Sequence, residues 1–436
     1  MSDITAITMD QLAVGLYIYL DLKWIEQPFA FGNFRIKNEE QIRIIRGLGL
    51  ATVRYNPALS SVTPAPAAAP APAPVPAPAS AQEAAAAAAD SAPLADIAPA
   101  LAAKQAMLAR AKHQREASAR VAEAFADTAR TIRTIDKNLL SQPGATVKEA
   151  GALVGRIADA ILSEPELAIH VMADNMGGDD LHYHSLNVTV LSMMMARDIA
   201  LPAAVIGTLG MGALFHDIGN LKVPERLLGQ ASALTSAERH FVELHTSYGA
   251  EIAQQVQLAA AVQAIIAGHH EFADGSGYPA HLKGEAIGLL TRIVTIANYY
   301  DELCNPPHLA DAVTPHEALS QMFAKERVKF DAKLLQLFIR CLGVYPPGTI
   351  VQLSNGVIGM VTSVNTARPM KPIVMVHDPS VPKEEAVLVD MAHETEFNIA
   401  KAVRPAQVPR EVYAYLSPRR RVSYYFDGGK AGAGAP

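Results

Sequence analysis

The apolar positions of this chain change their spacing several times, and each change marks a new element. Leu16-Tyr17-Ile18-Tyr19-Leu20 is an apolar run of strand length, and Asn38 ahead of Glu39 and Glu40 starts a helix through EEQIRIIRGLG. Gly47 and Gly49 end that helix and Ala51-Thr52-Val53-Arg54-Tyr55 returns as a strand, so residues 4–58 read as a small α+β domain. From 59 to 100 the pattern dissolves into Ala, Pro and Ser. Alternation such as Pro70-Ala71-Pro72-Ala73-Pro74 fixes φ and removes backbone donors, which favours a polyproline II linker with no core.

Over 101–147 helical spacing returns. Val121, Phe125, Ile132, Ile135 and Leu139 recur on one face and predict a connecting helix, a surface through which a homodimer could form. Its basic residues, among them Lys104, Arg110 and Arg115, are interleaved with Glu116 and Glu123 and read as a solvated face. Residues 148–343 read as successive helices. The pattern then turns to strands: Thr349 to Leu353, a turn at Asn355-Gly356, Val357 to Val361, Ile373 to Val376 and Ala386 to Val389. Residues 344–400 are therefore expected as a small β-rich unit and 401–436 as a tail. Within that tail Arg419, Arg420 and Arg421 form a solvated cluster, and the closing GGKAGAGAP is expected to be disordered.

Composition adds limits to this layout. A chain of 436 residues, 50% hydrophobic and 18% charged, suits a soluble protein of two or three folded units. Its 37 basic and 43 acidic side chains leave a net charge of −6, so no global basic field argues for DNA. Cys304 and Cys341 are the whole cysteine complement, which excludes a disulfide framework or a cysteine zinc site. The opening residues lack the basic start of a signal peptide, and LAVGLYIYL is too short for a transmembrane segment; a cytoplasmic location is expected.

The candidate chemistry lies in the helical region. His184, the pair His216-Asp217, His245 and the pair His269-His270 follow one another there, and both pairs come directly after apolar helical runs. One such pair means little by itself. Several imidazoles and a carboxylate brought together from different helices make a site for Fe, Mn or Zn, and two such ions close together suit phosphodiester hydrolysis. No nucleophile elbow, Walker loop, dinucleotide fingerprint or H-E-x-x-H occurs. Met193, Met194 and Met195 read as core.

HDIG at 216–219, LTSAERHFVELHTSYGAEI at 234–252 and HHEFADGSGYPAHLKG at 269–284 together resemble an HD-GYP domain. That family belongs to the HD phosphohydrolases, all-helical enzymes whose HD-GYP members hydrolyse cyclic di-GMP. The segment with Trp24, Pro28, Phe29 and Phe31-Gly32-Asn33-Phe34 is similar to an uncharacterised domain that often precedes HD-GYP in bacterial proteins. The resemblance implies two divalent ions, Fe or Mn, held by His184, His216, Asp217, His245, His269 and His270. Asp217 would bridge the ions and hold the attacking oxygen. Asp180, one turn before His184, would match a further carboxylate ligand used by some members. Gly277-Tyr278-Pro279 would form the lip beside the substrate, and Asp301 would match an acidic residue near the guanine.

The sequence also departs from the family. Asn220 stands where a lysine near the scissile phosphate is usual, and Lys222 is the nearby substitute considered for it. Asn298 stands at the position of a terminal aspartate ligand, and Pro307-His308-Leu309-Ala310 replaces a stretch that supplies cations to the nucleotide. Under one reading other residues compensate, and the chain is a phosphodiesterase that turns cyclic di-GMP into linear pGpG, with GMP as a further candidate product. Under the alternative it is a non-catalytic module that binds signalling partners such as diguanylate cyclase domains. A third reading keeps hydrolysis but changes the phosphoester.

Overall fold

In the N-terminal segment short apolar strands close a sheet over one helix. The computed structural model has strands β1 (Thr5–Thr8), β2 (Tyr17–Tyr19), β3 (Asn33–Arg35) and β4 (Thr52–Tyr55) in one antiparallel sheet of order β1-β4-β2-β3. Helix α1 (Glu39–Gly47) begins as its sequence predicts, with the Asn38 side chain accepting the Gln41 N–H at 2.9 Å. Ile42 and Ile45 of α1 join Leu16, Ile18 and Ile36 in a core of their own. The small α+β domain is thus present, with β1 and β3 as strands that the apolar pattern alone does not reveal.

The structure describes residues 5–22, 32–64, 124–125, 127–163, 168–171, 180–228, 234–306, 311–365, 368–379, 381–383, 386–394, 397–416 and 424–426, with isolated positions at 27, 29, 109, 112 and 116. Most of the Pro/Ala linker, the Arg419–Arg421 cluster, GGKAGAGAP and Pro307–Ala310 lie outside them.

The larger unit is helical. It comprises α2 (Pro143–Ser163), α3 (Asp180–Asp198), α4 (Ala203–Leu214), α5 (Ser236–Glu243), α6 (His245–Gln255), α7 (Ala260–Gly268), α8 (Leu289–Cys304), α9 (Pro315–Ala324) and α10 (Ala332–Leu342). Helices α3 and α4 pack on each other, α8 lies against α3, and α7 against α4 and α6. Met193, Met194 and Met195 fill the resulting core, as expected of an apolar stripe. The helix spanning 127–138 belongs to the same core. Its Ile132, Ile135 and Leu139 are fully buried, and Phe125 stacks on Tyr183 at 5.3 Å. This corrects the reading of a separate connector with an apolar face free for a homodimer, because that face is consumed within the chain.

The C-terminal unit is the expected antiparallel sheet, built from more of the chain than its sequence suggests. β6 (Ile350–Leu353) and β7 (Ile358–Asn365) form the hairpin around Asn355-Gly356, and β8 (Ile373–Val376) and β9 (Val387–Asp390) form where predicted. The five-strand order β10-β6-β7-β5-β11 also recruits β5 (Ala168–Val171) from between α2 and α3. Strand β10 (Ile399–Ala402) straddles the expected boundary at 400, and β11 (Tyr424–Phe426), with α11 (Arg410–Leu416), comes from the segment read as a tail. Such pairings join residues far apart in sequence, so no local pattern announces them.

Candidate metal centre

Helix ends position the histidines. Helix α4 stops at Leu214 and α7 at Gly268, so His216 and His269 sit just past helix C-termini, where the last carbonyls lack partners within the helix. The His216 Nδ1–H donates to Ala213 O at 2.7 Å and that of His269 to Ile266 O at 2.8 Å. His245 opens α6 and donates in the same way to Val242 O, at the end of α5, at 2.8 Å. Each ring nitrogen so committed fixes its tautomer and leaves Nε2 as an acceptor. For His184, on α3, the Asp301 carboxylate takes the place of the carbonyl, accepting from Nδ1 at 2.7 Å.

These Nε2 atoms converge in two pairs. His184 and His216 approach to 3.1 Å, and so do His245 and His269. Asp217 stands between them. Its Oδ1 lies 3.4 Å from His245 Nε2 and 3.6 Å from His269 Nε2, while Oδ2 lies 3.6 Å from His216 Nε2 and 3.8 Å from His184 Nε2. One carboxylate thus offers one oxygen to each imidazole pair. His270 joins the group of Asp217, His245 and His269, and its ring stacks on Tyr278 with centroids 4.6 Å apart.

Such a donor set fits divalent cations. Two imidazole acceptors 3.1 Å apart repel unless a proton or cation lies between or beside them; the proton that Asp301 keeps on His184 can fill that place in the first pair, whereas burial lowers His245 and leaves its pair with His269 to a cation. The Oδ1 of Asn298, a residue 2% exposed on α8, is also buried and has no hydrogen-bond partner among the described residues. The Asn298 amide nitrogen donates to Glu302 Oε1 at 3.1 Å, and that oxygen lies 3.9 Å from His270 Nε2. An amide oxygen left unsatisfied at this depth costs about 1–3 kcal/mol unless a ligand occupies it.

Charge is arranged to keep the donors available. Burial pushes the His216 imidazolium down to about 3, with the neighbouring His269 and His184 adding to the effect. Burial likewise lowers His245 and His270. Burial alone would raise Asp217, but the surrounding imidazoles, His216 first, hold its carboxyl well below the usual range. His184 goes the other way: burial opposes its charge, and the Asp301 hydrogen bond and charge overcome burial and raise it to about 9.

The six ligand positions named from the sequence are therefore brought together, and Asn298 lies beside them. Asp180 is the first residue of α3, and its side chain lies outside the described residues. Two assignments need correction. Asp301 is fully buried and accepts from Asn187 at 2.8 Å and Asn305 at 2.9 Å as well as from His184, so it orients the His184 ring and is not open to a guanine. Lys222 donates to Glu251 at 2.8 Å and lies over the Tyr248 ring, so its ammonium is drawn to the flank of α6 and does not replace the lysine lost at Asn220.

Several contributors have no signature in the sequence. Glu271, 1% exposed, accepts the Ala280 N–H at 2.6 Å and the Leu282 N–H at 2.9 Å, which pins the loop carrying Gly277, Tyr278 and Pro279. Asp136, from the 127–138 helix, lines a cavity of about 110 Å³ together with Ser185, Asp217 and Asn220. Burial, and then the charge of Asp217, raises the Asp136 carboxyl to about 7.

This arrangement of helices and His/Asp clusters defines a class. Residues 158–334 match the HD domain family, residues 4–139 a domain of unknown function (DUF3391), and residues 350–411 a KOW domain associated with the HD domain. Residues 158–334 are thus an HD domain, and that segment carries the HD-GYP motifs. The chain is similar to the cyclic di-GMP phosphodiesterase PA4108 of Pseudomonas aeruginosa, with 30% identity across 49% of this chain and 51% of that protein. It is similar also to the cyclic di-GMP phosphodiesterase response regulator RpfG of Xanthomonas campestris, with 33% identity across 34% and 39% of the two chains. The 3'3'-cGAMP-specific phosphodiesterase 3 of Vibrio cholerae is 31% identical across 37% and 35%. The chain spans about half the length of PA4108 and less of the other two. Among the described residues no helix is long and apolar enough to cross a membrane.

Proposed function

We propose that this chain is a metal-dependent phosphodiesterase of cyclic dinucleotides, with cyclic di-GMP as substrate and linear pGpG as first product. One observation carries the reading: the Asp217 carboxylate divides its two oxygens between two pairs of converging imidazole nitrogens. His184, His216 and Asp217 would hold one ion, and Asp217, His245, His269 and His270 the other, with the buried, unpartnered Asn298 Oδ1 as a candidate neutral oxygen ligand. Bound divalent ions would supply Lewis acidity, lowering the pKa of water and neutralising phosphate charge.

The chain's own residues do the rest. Helix-end carbonyls and Asp301 keep the Nε2 atoms of His184, His216, His245 and His269 aimed inward, so these need no reorganisation as charge develops on the phosphate. Glu271 fixes the Gly277-Tyr278-Pro279 loop, and Tyr278 covers His270 as one wall of the site. Burial raises the Tyr278 phenol, so it stays neutral and acts as a wall or hydrogen-bond donor. In the reaction an oxygen from water bonds to phosphorus, the P–O bond to one ribose breaks, and the departing oxygen takes a proton. Purified protein loaded with Mn(II) is expected to turn over cyclic di-GMP with a higher kcat/KM than 3'3'-cGAMP; the reverse order would move the substrate to the mixed dinucleotide.

A second reading is a non-catalytic module that binds diguanylate cyclase domains. It is favoured by the charge of the donor set, in which Asp217 is, among the described residues, the single carboxylate of both clusters. Asn298→Asp separates the two readings. Activity present only in that variant would mark the parent as the module, whereas turnover in the parent supports the enzyme.

A further inference from the structure

The donor set around Asp217 is short of negative charge, and a helix from outside the HD-matching segment brings a carboxylate to it. Two divalent ions carry four positive charges; among the described residues Asp217 is the one carboxylate of the two clusters, and Glu302, 3.9 Å from His270 Nε2, adds one charge beside them, so at least two charges are left without a counterpart. Asp136 faces the same small cavity as Asp217, with Ser185, next to His184, and Asn220 completing the polar lining. Its place is fixed by packing. Ile132, Ile135 and Leu139 of the same helix are fully buried in the helical core, so Asp136 is held at the edge of that buried face. Asp136 lies outside the 158–334 HD match and within the 4–139 match to the domain of unknown function.

We propose that Asp136 is a positioning carboxylate of the metal pocket, through which the upstream segment supplies negative charge that the donor set of the HD domain lacks. The proposal rests on the metal-centre reading above. A carboxylate beyond the ligands strengthens ion binding through the field and through water held between it and the site, effects worth about 10–100-fold in metal affinity. The same placement makes the position of this helix a determinant of how well the centre holds its ions.

The test measures Mn(II) affinity of the full chain by chelator competition and by the electron paramagnetic resonance of free Mn(II), with circular dichroism on each sample. Asp136→Asn and Asp136→Ala are both expected to weaken Mn(II) binding by about tenfold or more. Asp136→Glu should stay close to the parent, and Asn298→Asp placed in the Asp136→Asn background should recover much of the loss. That recovery distinguishes missing charge from a merely structural defect. Folded Asp136→Asn and Asp136→Ala proteins that bind Mn(II) within about twofold of the parent would overturn the role of Asp136. Because Mn(II) binding needs no substrate, a parent that binds Mn(II) but hydrolyses nothing leaves this test decisive while refuting the phosphodiesterase reading. A parent that binds no Mn(II) overturns both.

Discussion

Asp301 gives the clearest consequence at the scale of single residues. Its carboxylate holds a proton on His184 up to about pH 9, whereas His216, at about 3, and the lowered His245 and His270 are already neutral at pH 7. An ion needs the neutral imidazole, so ion uptake at pH 7.5 should expel about one proton from His184, and affinity should climb with pH until about 9. Asp301→Asn removes the charge that raises His184, and proton release should then fall well below one. Calorimetry of Mn(II) binding in buffers of different ionisation enthalpy measures this, and equal release in the two proteins would contradict the assignment. The histidines themselves are legible in the sequence, because six candidate ligand positions in a fixed order with HDIG and GYP around them are unlike ordinary core residues. Asp301 is legible only as an acid near the site. Whether it faces substrate or a ligand depends on how α8 rotates against α3, which tertiary packing decides. Lys222 is a similar case, since its proximity in sequence gave way to Glu251 across the α6 flank.

At the scale of elements, close backbone approach sets the geometry. A Cβ on Gly219 would lie 1.8 Å from His245 O and 2.5 Å from Gly249 N, so the turn after Asp217 packs directly on the start of α6. A Cβ on Gly277 would lie 2.3 Å from His270 O and 2.4 Å from Phe272 N, tying the Tyr278 loop to the backbone after His270. Backbone cannot yield as a flexible side chain can, so Gly219→Ala should be the more damaging variant, with loss of fold and metal together. Gly277→Ala should cost about 1–3 kcal/mol of stability by overpacking and should raise KM, as the loop carrying Tyr278 is displaced. Thermal unfolding combined with substrate titration checks both, and a Gly277→Ala protein with parental Tm and KM would show that the loop does not depend on this approach. Sequence patterns reach this level in part. The apolar run ahead of each His pair marks a helix C-terminus. The use of those ends to lock imidazole tautomers appears only when the side chains are in place.

For the molecule as a whole, the boundaries of function do not follow the boundaries of local pattern. The 127–138 helix reads as a connector because its periodicity does not say what it packs against, yet Ile132, Ile135 and Leu139 are buried in the core that carries the His/Asp clusters. Each such side chain contributes about 1.5–3 kcal/mol on burial, a large share of the roughly 5–15 kcal/mol that holds a domain together. A chain starting at residue 148 should therefore show a lower Tm and weaker cooperativity than the full chain, even though it contains every proposed ligand. Equal melting curves would mean that the helix is dispensable. The C-terminal sheet makes the same point, since β5 and β11 pair with strands that lie far away in sequence. The central claim, that Asp217 and the imidazoles around it form a working hydrolytic centre, is tested most directly by cyclic di-GMP turnover. The full chain and its Asp217→Ala and His216→Ala variants would be loaded anaerobically with Fe(II) or Mn(II), and products separated by chromatography. The parent is predicted to release linear pGpG while both variants, with helical circular dichroism intact, release none. A folded, metal-loaded parent that turns over cyclic di-GMP no faster than the variants would contradict it.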